Sequence, residues 1–190
     1  IGRAYFDVGM IDHAAELIER TITRDDQHAE AHYYRGMIRD ARGDIVGATS
    51  SFLRVRVLDA QAPEPPWTLA PPAFERVVTQ SISSLTPALR RFVDGAEVFV
   101  TPLPGLEVVA DGVDPRTPLL LDGLASPDRP GPPCARIFVY QRNLERHVGS
   151  VAEIGEELVH AFEHEITATF LEDRRVEGGL GRPKAKSELN

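Results

Sequence analysis

Small and apolar residues recur at helical spacing over residues 29–61, and Gly43 and Asp44 interrupt the pattern midway. This pattern predicts a helix, a tight turn and a second helix, because glycine and aspartate favour a turn between two periodic segments. The positions expected to touch between the two helices are Ala31, Gly36, Ala48, Phe52 and Val55.

The same register occurs 34 residues upstream, where Gly2, Gly9 and Ala14 precede Gly36, Gly43 and Ala48. A period of this length in helix–turn–helix units is typical of tetratricopeptide repeats, and the segment resembles that family. The departures from the family pattern are His32 for tryptophan, Arg35 for leucine and Ala60 for proline. The resemblance implies that residues 1–60 form a truncated and a complete repeat, whose concave groove holds a peptide or protein partner.

A proline-rich stretch follows these helices. Five prolines between Ala60 and Phe74 remove backbone donors and fix φ, which predicts a stiff linker over residues 61–72. We predict a second domain over residues 73–181 and a fraying, basic tail over residues 182–190.

The second domain mixes two periods. Apolar residues recur at helical spacing from Phe74 to Leu85, whereas residues 96–103 and 135–140 alternate as strands do. A short strand is also expected at Leu106–Ala110. The predicted fold class is therefore α+β, with a few-stranded sheet beside an all-α N-terminal segment.

The longest helical pattern spans residues 150–173. Ser150 and Glu153 match the capping box that begins many helices. One helix face is expected to pack on the sheet, and its members are Val151, Ile154, Leu158, Phe162, Ile166 and Thr169.

Two histidines on this helix, His160 and His164, are four residues apart, the spacing at which one helix offers two imidazoles to one metal ion. His164 and Glu165 open an H-E-x-x-H pattern, but Ala168 stands at its second histidine. The string HAFEH completes the inverted H-x-x-E-H pattern, with Glu163 as its glutamate. Helical geometry turns Glu165 toward the core and Glu163 toward solvent.

Several segments resemble, in order, the small bacterial zincin-like metallopeptidase family. They are PPAFERVVTQSISSLTPALRRFVDGAEVFVTPLP, RIFVYQRNLER and EIGEELVHAFEHEI. The resemblance implies that His164 is a zinc ligand, that Glu165 is the general base and that Asp173 is a third ligand. Two family positions differ here, because Ala168 replaces the second histidine and Leu171 replaces a glycine.

These departures predict either an inactive zinc site or one moved a turn toward the helix N-terminus. The residues of a moved site would be His160, His164 and either Asp173 or Asp122, with Glu163 as the base. A metal-bound water would then attack a peptide carbonyl that the metal polarises.

Composition narrows the functional classes. The 190-residue chain has a net charge of -8, which argues against the nucleic-acid backbone as a partner, and it lacks an apolar run long enough for a membrane span. Its single cysteine, Cys134, agrees with a reducing cytoplasm. Two functions remain open: a zinc-dependent peptidase or its degenerate descendant, and an inactive scaffold that binds a partner through the repeats.

Overall fold

The computed structural model describes residues 1–125 and 131–172, and these residues form nine α-helices and a three-stranded sheet. The predicted α+β class is confirmed. Within the described ranges, every helix is too short or too polar to cross a membrane.

Contacts divide the described residues into two units. The helical unit comprises Ile1–Thr68, Thr101–Pro118 and Tyr140–His147. The sheet unit comprises the described residues of Leu69–Val100, Leu119–Val139 and the chain from Val148 onward. The predicted zincin-like domain, residues 73–181, thus contributes stretches to both units.

The helical unit begins with two helical hairpins. Helices α1 (Gly2–Asp7) and α2 (Ile11–Arg24) form the first, and α3 (Ala29–Ala41) and α4 (Ile45–Gln61) form the second. The predicted helix–turn–helix of residues 29–61 is confirmed. Gly43 has a φ of 78°, a left-handed conformation that glycine adopts without strain, and the Asp44 carboxylate caps α4 by accepting from the Gly47 amide at 2.9 Å.

Close packing in the second hairpin explains the glycine at position 36. A Cβ atom at Gly36 would overlap the Phe52 ring, so the two helices approach closely only because this side chain is absent. Between the hairpins, a cluster of buried residues fills the space, and it consists of Ala14, Ile18, Ala31, Tyr34 and Ile38.

Two later stretches of chain complete the helical unit. They contain helix α7 (Leu106–Ala110), which packs on α4, and helix α8 (Gln141–Glu145). The strand predicted at Leu106–Ala110 is wrong, because these residues form a single helical turn that begins after Gly105 and buries Val109 completely. A five-residue apolar segment fits either period, so the alternation alone could not decide.

The sheet unit starts with α5 (Pro71–Ser84), three residues ahead of the predicted helix start at Phe74, and continues with α6 (Pro87–Arg90). Its strands are β1 (Glu97–Thr101), β2 (Leu119–Asp122) and β3 (Arg136–Tyr140), in the order β1-β3-β2. Strands β2 and β3 are antiparallel, with Leu119 opposite Val139 and Asp122 opposite Arg136.

The predicted long helix consists of three consecutive parts. A 3₁₀ turn at Val151–Glu153 leads into α9 (Ile154–Thr167), and a π-helix follows at Ala168–Glu172. The predicted tail, residues 182–190, lies outside the described residues.

Candidate functional site

The apolar face of α9 is largely as predicted. Ile154, Leu158, Phe162 and Ile166 are completely buried, and α9 packs on α5 and on β2. Val151 is an exception, since its exposed fraction is 40%. It lies in the 3₁₀ turn, whose three residues per turn shift it off the α-helical face.

The predicted capping box is present in a modified form. Glu153 accepts hydrogen bonds from the Gly149 amide and from the Ser150 hydroxyl, both at 2.9 Å, and these bonds hold the pKa of Glu153 below its usual range. Ser150 itself makes no side-chain cap to the helix backbone. The Glu153 carboxylate therefore fixes the two residues that precede the 3₁₀ turn, and the Ser150 hydroxyl bonds this carboxylate instead of a backbone amide.

The predicted metal-binding residues lie on the outer part of α9. His160 and His164 are both exposed and one turn apart. Glu163 is half-buried, although it was predicted to face solvent, because the buried arc of α9 is wide enough to cover part of its side chain. Glu165 is also half-buried, and burial raises its pKa while the neighbouring His164 partly offsets the rise.

The π-helix begins at Ala168, the residue that stands at the second histidine of the H-E-x-x-H pattern. Ala168 lies where α-helical spacing ends, and Asp173, the predicted third ligand, falls outside the described residues. Among residues 1–125 and 131–172, no three His, Cys, Asp or Glu side chains converge closely enough to hold a metal ion. The alternative ligand Asp122 pairs with Arg136 at 2.6 Å.

A buried ionic cluster joins the parts of the helical unit, and the sequence analysis missed it. Asp59, near the end of α4, is only 3% exposed and pairs with Arg116 at 3.1 Å and with Arg146 at 2.9 Å. Arg116, 9% exposed, also pairs with Glu30 of α3. Its guanidinium lies 4.6 Å from the ring centre of Tyr33, a cation–π contact.

Further hydrogen bonds extend this cluster. Tyr33 donates to the Asp114 carboxylate at 2.7 Å, and burial together with Asp114 raises the pKa of Tyr33. The buried amide of Asn143 donates to the carbonyls of Pro115 and Thr117 at 2.8 and 2.9 Å. One face of α3 is therefore covered by residues 114–116.

A cleft of about 240 Å³ lies between α2, α3 and the start of α4. Its floor is apolar, and its charged lining consists of three guanidiniums and two carboxylates. The apolar members are Ala15, Ile18 and Ile38, and the charged members are Arg35, Arg39, Arg42, Glu19 and Asp44. Arg35 and Arg39 of α3 and Arg42, which directly follows α3, have the spacing i, i+4 and i+7, and this spacing in the sequence could have revealed the shared face.

Each of the three arginines is paired with a carboxylate, Arg35 with Glu19, Arg39 with Asp44 and Arg42 with Asp12. Each guanidinium has five N–H groups. Within the described ranges, Arg35 donates to His32 and Ser51, Arg39 to the Gly47 carbonyl, and Arg42 to Asp12. The lining carboxylates are more distant, since Glu19 is 3.7 Å from Arg35 and Asp44 is 3.9 Å from Arg39.

His32 contacts Arg35, one of the residues that line this cleft. It is 4% exposed, with Nε2 at 2.9 Å from the Asp26 carbonyl and Nδ1 at 2.9 Å from Arg35. Because arginine only donates, Nδ1 must accept and the proton must sit on Nε2. Burial lowers the pKa of His32, so the neutral form prevails.

The chain matches no protein-family model, and no curated protein is significantly similar to it.

Proposed function

We propose that the protein binds a protein or peptide partner through its tetratricopeptide-like helices, and that its zincin-like part serves as a catalytically silent scaffold. The observation that carries this proposal is the cleft between α2, α3 and α4. It combines an apolar floor with a charged rim, which is the combination that orients a bound segment.

The geometry of α9 supports the same assignment. Its most strongly buried residues, such as Leu158 and Phe162, serve packing, and its two histidines point to a surface where Ala168 supplies no ligand. A catalytic zinc site ordinarily needs three protein ligands and an open position. The helical unit thus offers a formed recess, whereas α9 offers two of three ligands.

A random peptide library selected on the full chain tests this proposal. We expect enriched peptides to lose binding to Glu19→Trp, which fills the rim of the cleft, and to Ala15→Trp, which fills its floor. Ala4→Trp is the matched control, because Ala4 is exposed on α1 outside the cleft, and it should leave binding unchanged. Melting curves verify that each variant folds. Peptides that bind all three variants equally would contradict the proposal.

A second function is favoured by one specific observation. His160 and His164 are exposed one turn apart, and the neighbouring Glu165 has a raised pKa, as a general base for hydrolysis requires. These residues would hold two positions of a zinc ion, and the metal would supply an activated water. The chain's own contribution would be to orient that water through Glu163 or Glu165.

Zinc titration by calorimetry separates the two functions. A relocated site predicts one zinc per chain, with binding lost in His160→Ala and in His164→Ala but kept in His13→Ala. It also predicts peptide hydrolysis that falls in Glu163→Gln. Zinc binding that survives His160→Ala would exclude this arrangement, and hydrolysis that survives both Glu163→Gln and Glu165→Gln would exclude the metal-water mechanism.

A further inference from the structure

We infer that two copies of the chain associate through β1, with the outer edges of the two β1 strands paired antiparallel across a two-fold axis. This inference concerns the sheet unit and is independent of the proposed function, which uses the helical unit. It begins from the two outer strands of the sheet, β1 and β2, which differ in how their edges are protected.

The edge of β2 carries features that prevent pairing with another chain. The strand has only four residues, begins directly after Pro118 and ends at Asp122, whose carboxylate pairs with Arg136. Its residues Leu119 and Leu121 are buried. Short length, proline and charge are the devices by which natural sheets protect an outer strand. The edge of β2 is therefore closed to a partner strand.

The edge of β1 lacks these features. Its sequence, EVFVT, has no proline or lysine, and Val98 is 40% exposed. The Glu97 amide donates to the Ala135 carbonyl at 2.9 Å, which directs the backbone groups of Glu97 toward β3. Because the direction of these groups alternates along a strand, the N–H and C=O groups of Val98 and Val100 point to the opposite edge.

These outward groups of Val98 and Val100 have no backbone partner within residues 1–125 and 131–172. The strand order is β1-β3-β2, so β3 occupies only the inner side of β1. A row of unpaired backbone donors and acceptors beside apolar side chains is a template for a further strand. β1 thus offers four backbone groups to another chain.

A second copy of β1 satisfies all four groups at once. If Phe99 lies opposite Phe99 of the second copy, Val98 lies opposite its Val100 and Val100 lies opposite its Val98. Each of these two valine pairs exchanges two N–H···O=C bonds, as hydrogen-bonded pairs of antiparallel strands do. A shift of two residues in one direction would instead place Pro102, which has no N–H group, opposite Val98.

The side chains in this register are also complementary. On one face of the joined sheet, Val98 and Val100 of opposite copies become β-branched cross-strand neighbours. On the other face, the two Phe99 rings meet and extend the stack that Phe99 forms with Phe138, with ring centres 5.2 Å apart. Both faces of the contact are therefore apolar, and the exposed Val98 side chain is removed from water.

The distribution of charge favours the same register. A net charge of -8 makes copies of the chain repel one another, so their contact needs an uncharged centre. Glu97, the only charged residue of β1, lies opposite Thr101 of the second copy, which separates the two glutamates by four residues, about 14 Å along the strand. This distance exceeds the Debye length of ~8 Å at physiological ionic strength, so their repulsion is largely screened. A two-residue shift in the opposite direction would halve the separation.

Sedimentation equilibrium of the full chain over a range of concentrations tests the inference. We expect a monomer–dimer equilibrium that Val98→Lys weakens at least about tenfold, because this variant brings two like charges to diagonal positions across the contact. Val151→Lys is the matched control, since Val151 has the same exposed fraction of 40% and lies outside β1. It should leave the dimer dissociation constant within about twofold.

Cysteine substitution tests the register. Phe99→Cys places two thiols where antiparallel strands approach to about 4.5 Å between Cα atoms, within the range of a disulfide, so mild oxidation should yield a cross-linked dimer. Glu97→Cys is the control, because its two thiols would be about 14 Å apart although position 97 is more exposed than position 99. Both variants also carry Cys134→Ala, which removes the native thiol.

Three results would overturn the inference. They are a chain that stays monomeric at millimolar concentration, a dimer that Val98→Lys and Val151→Lys affect equally, and cross-linking of Glu97→Cys as complete as that of Phe99→Cys. If melting curves show that Phe99→Cys does not fold, Val98→Lys still decides, because Val98 lies at an exposed edge where lysine is tolerated. Each of these results leaves the proposed peptide binding by the cleft unaffected.

Discussion

Different interactions stabilise the interior of the helical unit and the interior of the sheet unit. Around Asp59, separate stretches of the helical unit meet through buried ion pairs, hydrogen bonds and one cation–π contact. Around Phe162, the sheet unit meets through apolar side chains that are fully removed from water. Apolar packing tolerates changes that preserve volume, whereas a buried charge depends on a partner at one position. Apolar packing therefore supplies stability, and the buried ion pairs determine which segments of the chain meet.

The largest expected loss of stability comes from the apolar core of the sheet unit. Phe162→Ala removes a completely buried ring and should destabilise the sheet unit by about 3–5 kcal/mol. Hydrogen exchange of peptides from residues 154–167 measures the change. Val151→Ala is the control, since Val151 is 40% exposed and its truncation should change stability by less than about 0.5 kcal/mol. Equal protection in both variants would show that α9 is not a core element.

The next largest loss of stability should come from the buried ion pairs of the helical unit. Asp59→Ala leaves Arg116 and Arg146 without their shared carboxylate, and we expect a loss of about 3 kcal/mol, at the low end for a buried pair because Glu30 still faces Arg116. Urea unfolding followed by the fluorescence of Trp67, which lies in the helical unit, reports the change.

A matched exposed pair calibrates that result. Arg136 and Asp122 are 51% and 40% exposed, so Arg136→Ala should cost at most about 1 kcal/mol. If Asp59→Ala costs no more than Arg136→Ala, the ionic cluster does not organise the helical unit as described.

Glycines allow a direct comparison of the two units at smaller scale. Gly36→Ala gains up to about 1 kcal/mol of helix propensity but drives a methyl group into Phe52, and overpacking of this kind costs about 1–3 kcal/mol. We expect net destabilisation, relieved by adding Phe52→Leu. Gly155→Ala meets only Val77 at 3.8 Å and should stabilise the sheet unit by about 0.5–1 kcal/mol. Thermal melts that show the same sign for both variants would contradict this packing.

The smallest effect should come from His32. Its pKa is lowered in the folded chain from an ordinary value of 6.5, so the unfolded chain takes up a proton first as pH falls. The stabilising contribution of neutral His32 is therefore present above pH 6.5 and is lost as pH falls below it. Urea midpoints from Trp67 fluorescence should decrease between pH 7 and pH 5, and His32→Gln should flatten this dependence. A midpoint that rises as pH falls would mean that charged His32 is the favoured form.

The helices with buried apolar faces could be predicted from sequence. The periodicity of Ile154, Leu158, Phe162 and Ile166 predicted a helix with one buried face, and the structure confirms both. The hairpin at residues 29–61 is confirmed for the same reason, since burial imposes a repeat on the residues of a single element. Local periodicity was insufficient at Leu106–Ala110, where five residues are too few to distinguish a helix from a strand.

The buried ion pairs of the helical unit could not be predicted in this way. Asp59 and Arg116 are 57 positions apart, and Glu30 and Arg116 are 86 apart, so no periodic pattern connects them. Charged residues are also usually exposed, which made these three indistinguishable from surface residues before their partners were known.

The candidate site divides along similar lines. Helical spacing correctly placed His160 and His164 on neighbouring turns. It turned Glu165 toward the core and Glu163 toward solvent, whereas both side chains are half-buried. It failed past Thr167, where the π-helix changes the angle per residue, so the position of Ala168 could not be extrapolated from the turns before it. The arginine spacing in α3 was available, but the cleft also needs Glu19 and Ile18 from α2, which only tertiary packing brings into place.

The interleaving of the helical unit has a consequence for synthesis on the ribosome. Its hairpins emerge first, but Arg116 and Arg146 follow much later in the chain. Until then Asp59 has neither of its cationic partners, and the nascent hairpins must persist on their own apolar cluster. Maturation of this unit therefore waits for the emergence of residues 140–147, well after its two hairpins have left the ribosome.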